Sequence, residues 1–235
     1  MASQRTGPFL LGQIPDKPLY EIARQIVHRL AVGHADITGD DFGTIFANAV
    51  GGEHRGKPIG IADVSVNGCA WSVKTVKSED PFGQKVVRLI SGRNSPDYSL
   101  GITDPHKDPE ATGRAVLAIW NKRVNQALDE FNDLRIAVML RDMTTRNFSL
   151  FEEEAERFIP TEYEWTFNKR GNLDGLAKLD GTHMFTWQPH GSQFTIIRKV
   201  PASARKFSIV PNVPTVTLDT VLAAIKFKPE WVTIH

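Results

Sequence analysis

The chain has 235 residues, 41% hydrophobic and 23% charged, with 28 lysines and arginines against 27 aspartates and glutamates, a formal net charge of +1. Those are the values of an ordinary globular chain, one domain or one domain with an appended subdomain. They exclude a strongly basic coat protein and an acidic disordered tail; no apolar run approaches the roughly 18 residues of a membrane span, and Cys69, the single cysteine, excludes an intrachain disulfide.

The N-terminal stretch MASQRTGPFLLGQIPDKPLY has Arg5 but too short an apolar core for a signal peptide, so the expected compartment is the cytoplasm. The low net charge leaves a nucleic-acid enzyme open, because local clustering sets the field over a cleft. Lys74, Lys77, Lys85, Arg88 and Arg93 form one basic cluster and Arg198, Lys199, Arg205 and Lys206 a second, while acidic residues concentrate in FEEEAERF at 151–158.

PLYEIARQIVHRLAVG predicts the first helix, with Leu19, Ile22, Ile26 and Leu30 on one apolar face and Gly33 as its stop. TGDDFGTIFANAVGG predicts a second, capped by Asp40 or Asp41 and ended by Gly51-Gly52. GIADVSV and AWSVKTVK flank Asn67-Gly68, a strong hairpin signal because both turn residues tolerate positive φ. KVVRLIS predicts a third strand ending at Gly92, and the proline- and glycine-rich stretch from Arg93 to Pro109 predicts a loop. The longest helix is expected from Pro109 to Phe131, with Lys122 and Arg123 on its solvated face. LRIAVML then reads as a central strand buried on both faces. TEYEWTF, HMFTWQP and QFTIIRKV, separated by turns at 168–171 and 190–191, read as an antiparallel sheet. The order predicts an α/β fold, a core over 1–150 and a β-rich C-terminal part over 151–235.

Asp63 lies in an otherwise apolar strand, where a charge is costly unless it meets a metal or an opposite charge. Across the hairpin stand Ser72 and Lys74, which point the same way because side chains alternate along a strand. An aspartate can hold Mg²⁺, and a lysine beside it can orient water or stabilise charge developing on a phosphate. Those are the minimum parts for metal-assisted phosphodiester hydrolysis.

A helix, a strand with aspartate, a hairpin and a strand with an x-x-Lys triplet together resemble the PD-(D/E)xK nuclease superfamily, to which type II restriction endonucleases belong. The resemblance spans about residues 19–140 and implies a restriction-endonuclease-like mixed sheet core flanked by helices. Ala62 stands where proline often precedes the aspartate, and Ser72 where a metal-ligating carboxylate is usual. Some members carry Ser-Val-Lys and take the missing carboxylate from another element. Here Glu21, on the first helix, is the leading candidate to join Asp63, Ser72 and Lys74, followed by Glu53, Glu79 and Asp41. The resemblance implies Mg²⁺ held by Asp63, Glu21 and Glu53, double-stranded DNA as substrate and a homodimer that cuts both strands.

For DNA contacts the sequence offers Lys77, then Arg93, Asn94 and Ser95, then the turn residues Asn168, Lys169 and Arg170, and Gln188, His190 and Gln193; such side chains suit phosphates and base edges. Trp165, Phe167, Phe185, Trp187 and Phe194 read either as a sheet core or as stacking partners for a flipped base. His183 and His190 lack zinc spacing, and there is no P-loop, G-x-S-x-G or dinucleotide glycine motif. The competing functional class is a non-catalytic DNA-binding or structural protein on the same core; Ser72 favours it, while Asp63 with Lys74 favours the nuclease.

Overall fold

The computed structural model describes residues 7–234, so Arg5 lies outside it. Helix α1 (Asp16–Ala31) buries the predicted stripe of Leu19, Ile22, Ile26 and Leu30. Helix α2 (Gly39–Val50) begins one step before the expected caps. Thr38 accepts a bond from the Asp41 N–H while the Asp41 carboxylate accepts from the Thr38 N–H, a capping box.

Strand β1 (Glu53–Ile59) is absent from the sequence prediction because Gly56 and Pro58 interrupt it; as an edge strand it tolerates the missing proline N–H. Strands β2 (Ala62–Val66) and β3 (Cys69–Lys77) form the predicted hairpin, with Asn67 and Gly68 at φ 47° and 78°, a type I′ turn. Strand β4 (Val86–Arg93) and a short α3 (Pro96–Leu100), inside the expected loop, lead to α4 (Pro109–Leu128). The chain continues through β5 (Asp133–Asp142) and β6 (Asn147–Glu154). Strands β7 (Tyr163–Phe167), β8 (Leu173–Ala177), β9 (His183–Gln188) and β10 (Gln193–Lys199) follow, then β11 (Arg205–Ser208) and α5 (Leu218–Ala224).

Six strands make one mixed sheet, ordered β1-β2-β3-β5-β6-β11, in which β3 and β5 run parallel and are joined through α4. Five strands make a second, antiparallel sheet ordered β4-β10-β9-β8-β7. The fold is therefore α/β with mixed sheets. Strand β4 corrects the expected third core strand: β5 occupies the edge of β3 from Cys69–Asp133 to Lys77–Arg141, and β4 pairs with β10 instead. The expected boundary at residue 150 falls inside β6, and β11 of the last part closes the first sheet.

Helices α1 and α2 cover one face of the first sheet, over a core that includes Phe46, Val64, Trp71 and Met139. Helix α4 and the second sheet cover the other, with Trp120, Val124, Leu134, Ile136, Phe185 and Phe194 inside. Trp165, Phe185, Trp187 and Phe194 are thus core residues, which removes them as partners for a flipped base. Among the described residues no helix is long and apolar enough to cross a membrane.

On the α1/α2 side lies a buried ionic network. Arg135 donates to both Asp133 oxygens at 2.9 and 2.6 Å and to Glu152 at 2.8 Å, and Glu152 also accepts from the Trp71 indole and the Gly12 N–H. The guanidinium sits 5.7 Å from the ring centres of Phe9 and Trp71. Arg135→Ala leaves two buried carboxylates without their cation, which costs about 3–5 kcal/mol. The expected result is a matching drop in the urea unfolding midpoint at unchanged slope; a midpoint at the wild-type value would contradict it.

Candidate active site

The type I′ turn fixes the hairpin register with Val64 opposite Trp71. Trp71 and Val73 face α1 and α2, so Ser72 and Lys74 face α4, and Asp63 faces α4 with them. The Asp63 Oδ2 accepts from the Ser72 hydroxyl at 3.2 Å and from the Val73 N–H at 3.0 Å, with the Lys74 ammonium 3.6 Å away. Lys74 Nζ also donates to Ser72 Oγ at 2.8 Å. Ser72 thus bridges the carboxylate and the ammonium. It is 3% exposed, so its hydroxyl is not presented as a nucleophile.

The fourth member is Arg123 of α4, which corrects its expected place on a solvated face. It donates to the Ser91 carbonyl of β4 at 2.9 Å, and the Asp63 charge acts on it as on Lys74. Helical spacing carried this signal: position 123 lies three after buried Trp120 and four before buried Ala127, whereas Lys122 points outward. Gly60, at φ 60°, lets the β1–β2 turn meet α4; a Cβ there would lie 2.0 Å from the Arg123 carbonyl oxygen. The helix therefore sits against the hairpin at the turn that holds Arg123.

Burial is the largest influence on Lys74 and pulls its pKa below the ordinary lysine value; Arg123 adds to this and Asp63 opposes it. Burial likewise lowers Arg123, again against Asp63.

The expected partners for the missing carboxylate do not gather here. Glu21 lies on α1, across the sheet from Asp63, and its carboxylate is held by Arg24 and Gln25. Glu53 stands opposite Ser65 on β1, on the Asp63 face but at the exposed end of the sheet. Asp41 is spent on the α2 cap, and Glu79 lines a cleft with Asp36, Lys77 and Arg141 beyond the end of β3. Among the described residues no three carboxylate, imidazole or thiol groups converge to hold a metal ion. The donor set fits Mg²⁺ in one form: the hydrogen bonds from Ser72 and Val73 and the ion pair with Lys74 all fall on Asp63 Oδ2, which leaves Oδ1 for an ion whose other partners would be a substrate phosphate and water, as Mg²⁺ commonly binds.

Several expected DNA contacts share one end of the second sheet. A row of paired residues, Phe167–Leu173–Trp187–Phe194–Gly92, crosses all five strands. One step beyond it stand Gln188, Gln193 and Arg93, paired side by side, with the turn of Asn168, Lys169 and Arg170 and, on the β9–β10 turn, exposed His190. This end adjoins Arg123, which holds Ser91. Asn168 spends its side chain on the turn itself, accepting from the Arg170 and Asn172 N–H groups. Asn94 is corrected: it is fully buried, donates to the Val116 carbonyl and accepts the Trp187 indole on its own carbonyl. Ser95 is half-buried before α3. Lys77 faces Asp36 at 3.1 Å and points away from Lys74, so the basic cluster from Lys74 to Arg93 does not line one groove. The acidic segment at 151–158 lies elsewhere, with Glu153 and Glu156 held by Arg198 toward the opposite end of β10.

Because the folded chain holds Lys74 less protonated than the unfolded chain does, stability rises with pH from the lowered folded value up to about 10.5, the ordinary lysine value. Lys74→Met is expected to flatten that rise relative to wild type in thermal melts from about pH 8 to 10.5; parallel curves would contradict it. Compared with known proteins, the chain matches no family model, no curated protein and no solved structure.

Proposed function

We propose that the chain is a Mg²⁺-dependent deoxyribonuclease of the PD-(D/E)xK type, a sequence-specific type II restriction endonuclease acting as a homodimer on double-stranded DNA. The observation that carries the reading is the Asp63–Ser72–Lys74 cluster on one face of a tight hairpin, with the ammonium 3.6 Å from the carboxylate. Its setting supports the same reading. An antiparallel β1-β2-β3 meander is followed by α4 and by β5 parallel to β3, the helix–strand order the resemblance implies.

Asp63 would hold the ion through Oδ1, and the ion supplies positive charge against the phosphate when bound. The side chains do the remainder. Lys74, drawn toward its neutral form by burial, is suited to take a proton from the attacking water and, once protonated, to stand beside the developing negative charge. Arg123 adds a fixed cation for a phosphate oxygen, and Ser72 holds Asp63 and Lys74 in register. Arg93, Gln193, Gln188 and the exposed turn residues form the surface for reading the duplex.

The second reading, a DNA-binding protein without catalysis on the same core, is favoured by Ser72 standing where a metal-ligating carboxylate is usual and by the lack, among the described residues, of three carboxylate, imidazole or thiol groups that converge to hold a metal ion.

Single-turnover cleavage, with a gel shift in Ca²⁺ as binding control, separates the two. Lys74→Ala is expected to lower the rate about 10²–10³-fold, equivalent to roughly 3–4 kcal/mol of barrier, with binding nearly unchanged. Asp63→Asn is expected to fall likewise and to recover in part with Mn²⁺. Cleavage at the wild-type rate by Lys74→Ala would reduce the hairpin to scaffold, and a chain that binds duplex without cutting it would establish the second reading.

A further inference from the structure

The face of the second sheet turned away from α4 carries polar side chains in two different states. Trp187 and Phe194 point into the core beneath the sheet, so their neighbours Gln188 and Gln193 point outward, and Arg93, paired with Gln193, points with them. At the middle of the same face the polar side chains hold one another. Arg88 donates to the Thr186 hydroxyl at 2.8 Å, and Asp174 accepts from Thr186 at 3.0 Å and from Asn168 at 2.8 Å, with His183 3.3 Å away. The row at the end is different. Among the described residues no side-chain hydrogen bond or ion pair holds Arg93, Gln188 or Gln193.

The backbone under that row is fixed. The Trp187 indole donates to the Asn94 carbonyl at 2.8 Å, the Asn94 N–H donates to the Ser192 carbonyl at 2.8 Å, and the Asn94 amide donates to the Val116 carbonyl at 2.9 Å. Asn94 thus ties the ends of β4, β9 and β10 to α4, the helix that also carries Arg123. A side chain presented on a fixed backbone loses little freedom when it meets a partner. No carboxylate stands in the row: Asp97, the acidic residue close by in sequence to Arg93, lies on the Trp187 side, where it lines a small cavity with Trp187 and Ser192.

We propose that this row reads base sequence in the major groove, with Arg93 on a guanine and Gln193 and Gln188 on adenines a few base pairs away. The side chains set the bases. A guanidinium fork matches the two acceptors of guanine, O6 and N7, and a carboxamide matches the donor and acceptor of adenine, N6 and N7. Two of the three carry no charge, which favours base edges over phosphates as their partners, since phosphate binding draws on cations. Neighbouring strands lie about 4.8 Å apart, so the row spans about 10 Å, or roughly three base-pair steps of 3.4 Å. The order of the strands fixes the order of the contacts, Gln193 between Arg93 and Gln188.

The assignment rests on DNA as the substrate proposed above and not on the cleavage chemistry. It is tested by selecting bound duplexes from a random-sequence pool by gel shift in Ca²⁺. The wild-type chain is expected to enrich a consensus with one G·C and two A·T pairs within a few base pairs. Arg93→Lys keeps the charge but loses the fork, and is expected to lose the preference at the G·C position alone, by about 5- to 150-fold. Gln193→Leu and Gln188→Leu should each lose the preference at one A·T position, with circular dichroism spectra like the wild type's. A pool bound with no consensus would overturn the proposal. So would a consensus that Arg93→Lys leaves intact, or one that it weakens equally at every position, the mark of a phosphate contact. The two proposals fail separately: a consensus bound but never cut in Mg²⁺ would keep this assignment and refute the nuclease, and cutting at every sequence would do the reverse.

Discussion

The candidate site depends on the register of one hairpin. A two-residue turn at Asn67-Gly68 sets Val64 against Trp71, and from that pairing Ser72 and Lys74 come to the Asp63 side of the sheet. A slip of one residue would send them to the α1/α2 face. There they would displace Trp71 from its contacts with Phe46 and with the Glu152 carboxylate. The apolar core on one face and the polar cluster on the other therefore enforce the same register.

Strand β3 separates two kinds of buried charge. Toward α1 and α2, the Arg135–Asp133–Glu152 network is closed: its guanidinium donates to both carboxylates, and indole and backbone N–H groups add to them. Closed networks of this kind hold a fold in place and offer little to a ligand. Toward α4, the Asp63 cluster is open. Asp63 and Lys74 keep 24% and 23% of their side-chain surface, and the cations Lys74 and Arg123 outnumber the one carboxylate they share. An excess of cation at a partly open site beside the strand ends of a second sheet is what an incoming phosphate would complete.

What the sequence made legible was local. The hairpin, the apolar stripes of α1 and α4, and the run that becomes β5 all announce themselves within a few residues. What it hid was set by distant partners. The acidic stretch at 151–158 does not by itself mark which glutamate is buried, yet Glu152 is, because Arg135, in another strand, meets it. Strand β4 reads as a neighbour of β3, and only β10, about a hundred residues further on, makes it part of another sheet. Glu21 was placed by resemblance alone, and helix packing puts it across the sheet from Asp63. Arg123 was recoverable from helical phase, since its neighbours on the helix face inward.

The central claim is that this cluster hydrolyses DNA with Mg²⁺. Supercoiled plasmid incubated with the purified chain in Mg²⁺, beside a reaction in EDTA, tests it most directly. The account predicts discrete linear fragments in Mg²⁺ and untouched plasmid in EDTA. Supercoiled plasmid left intact in both reactions would contradict it.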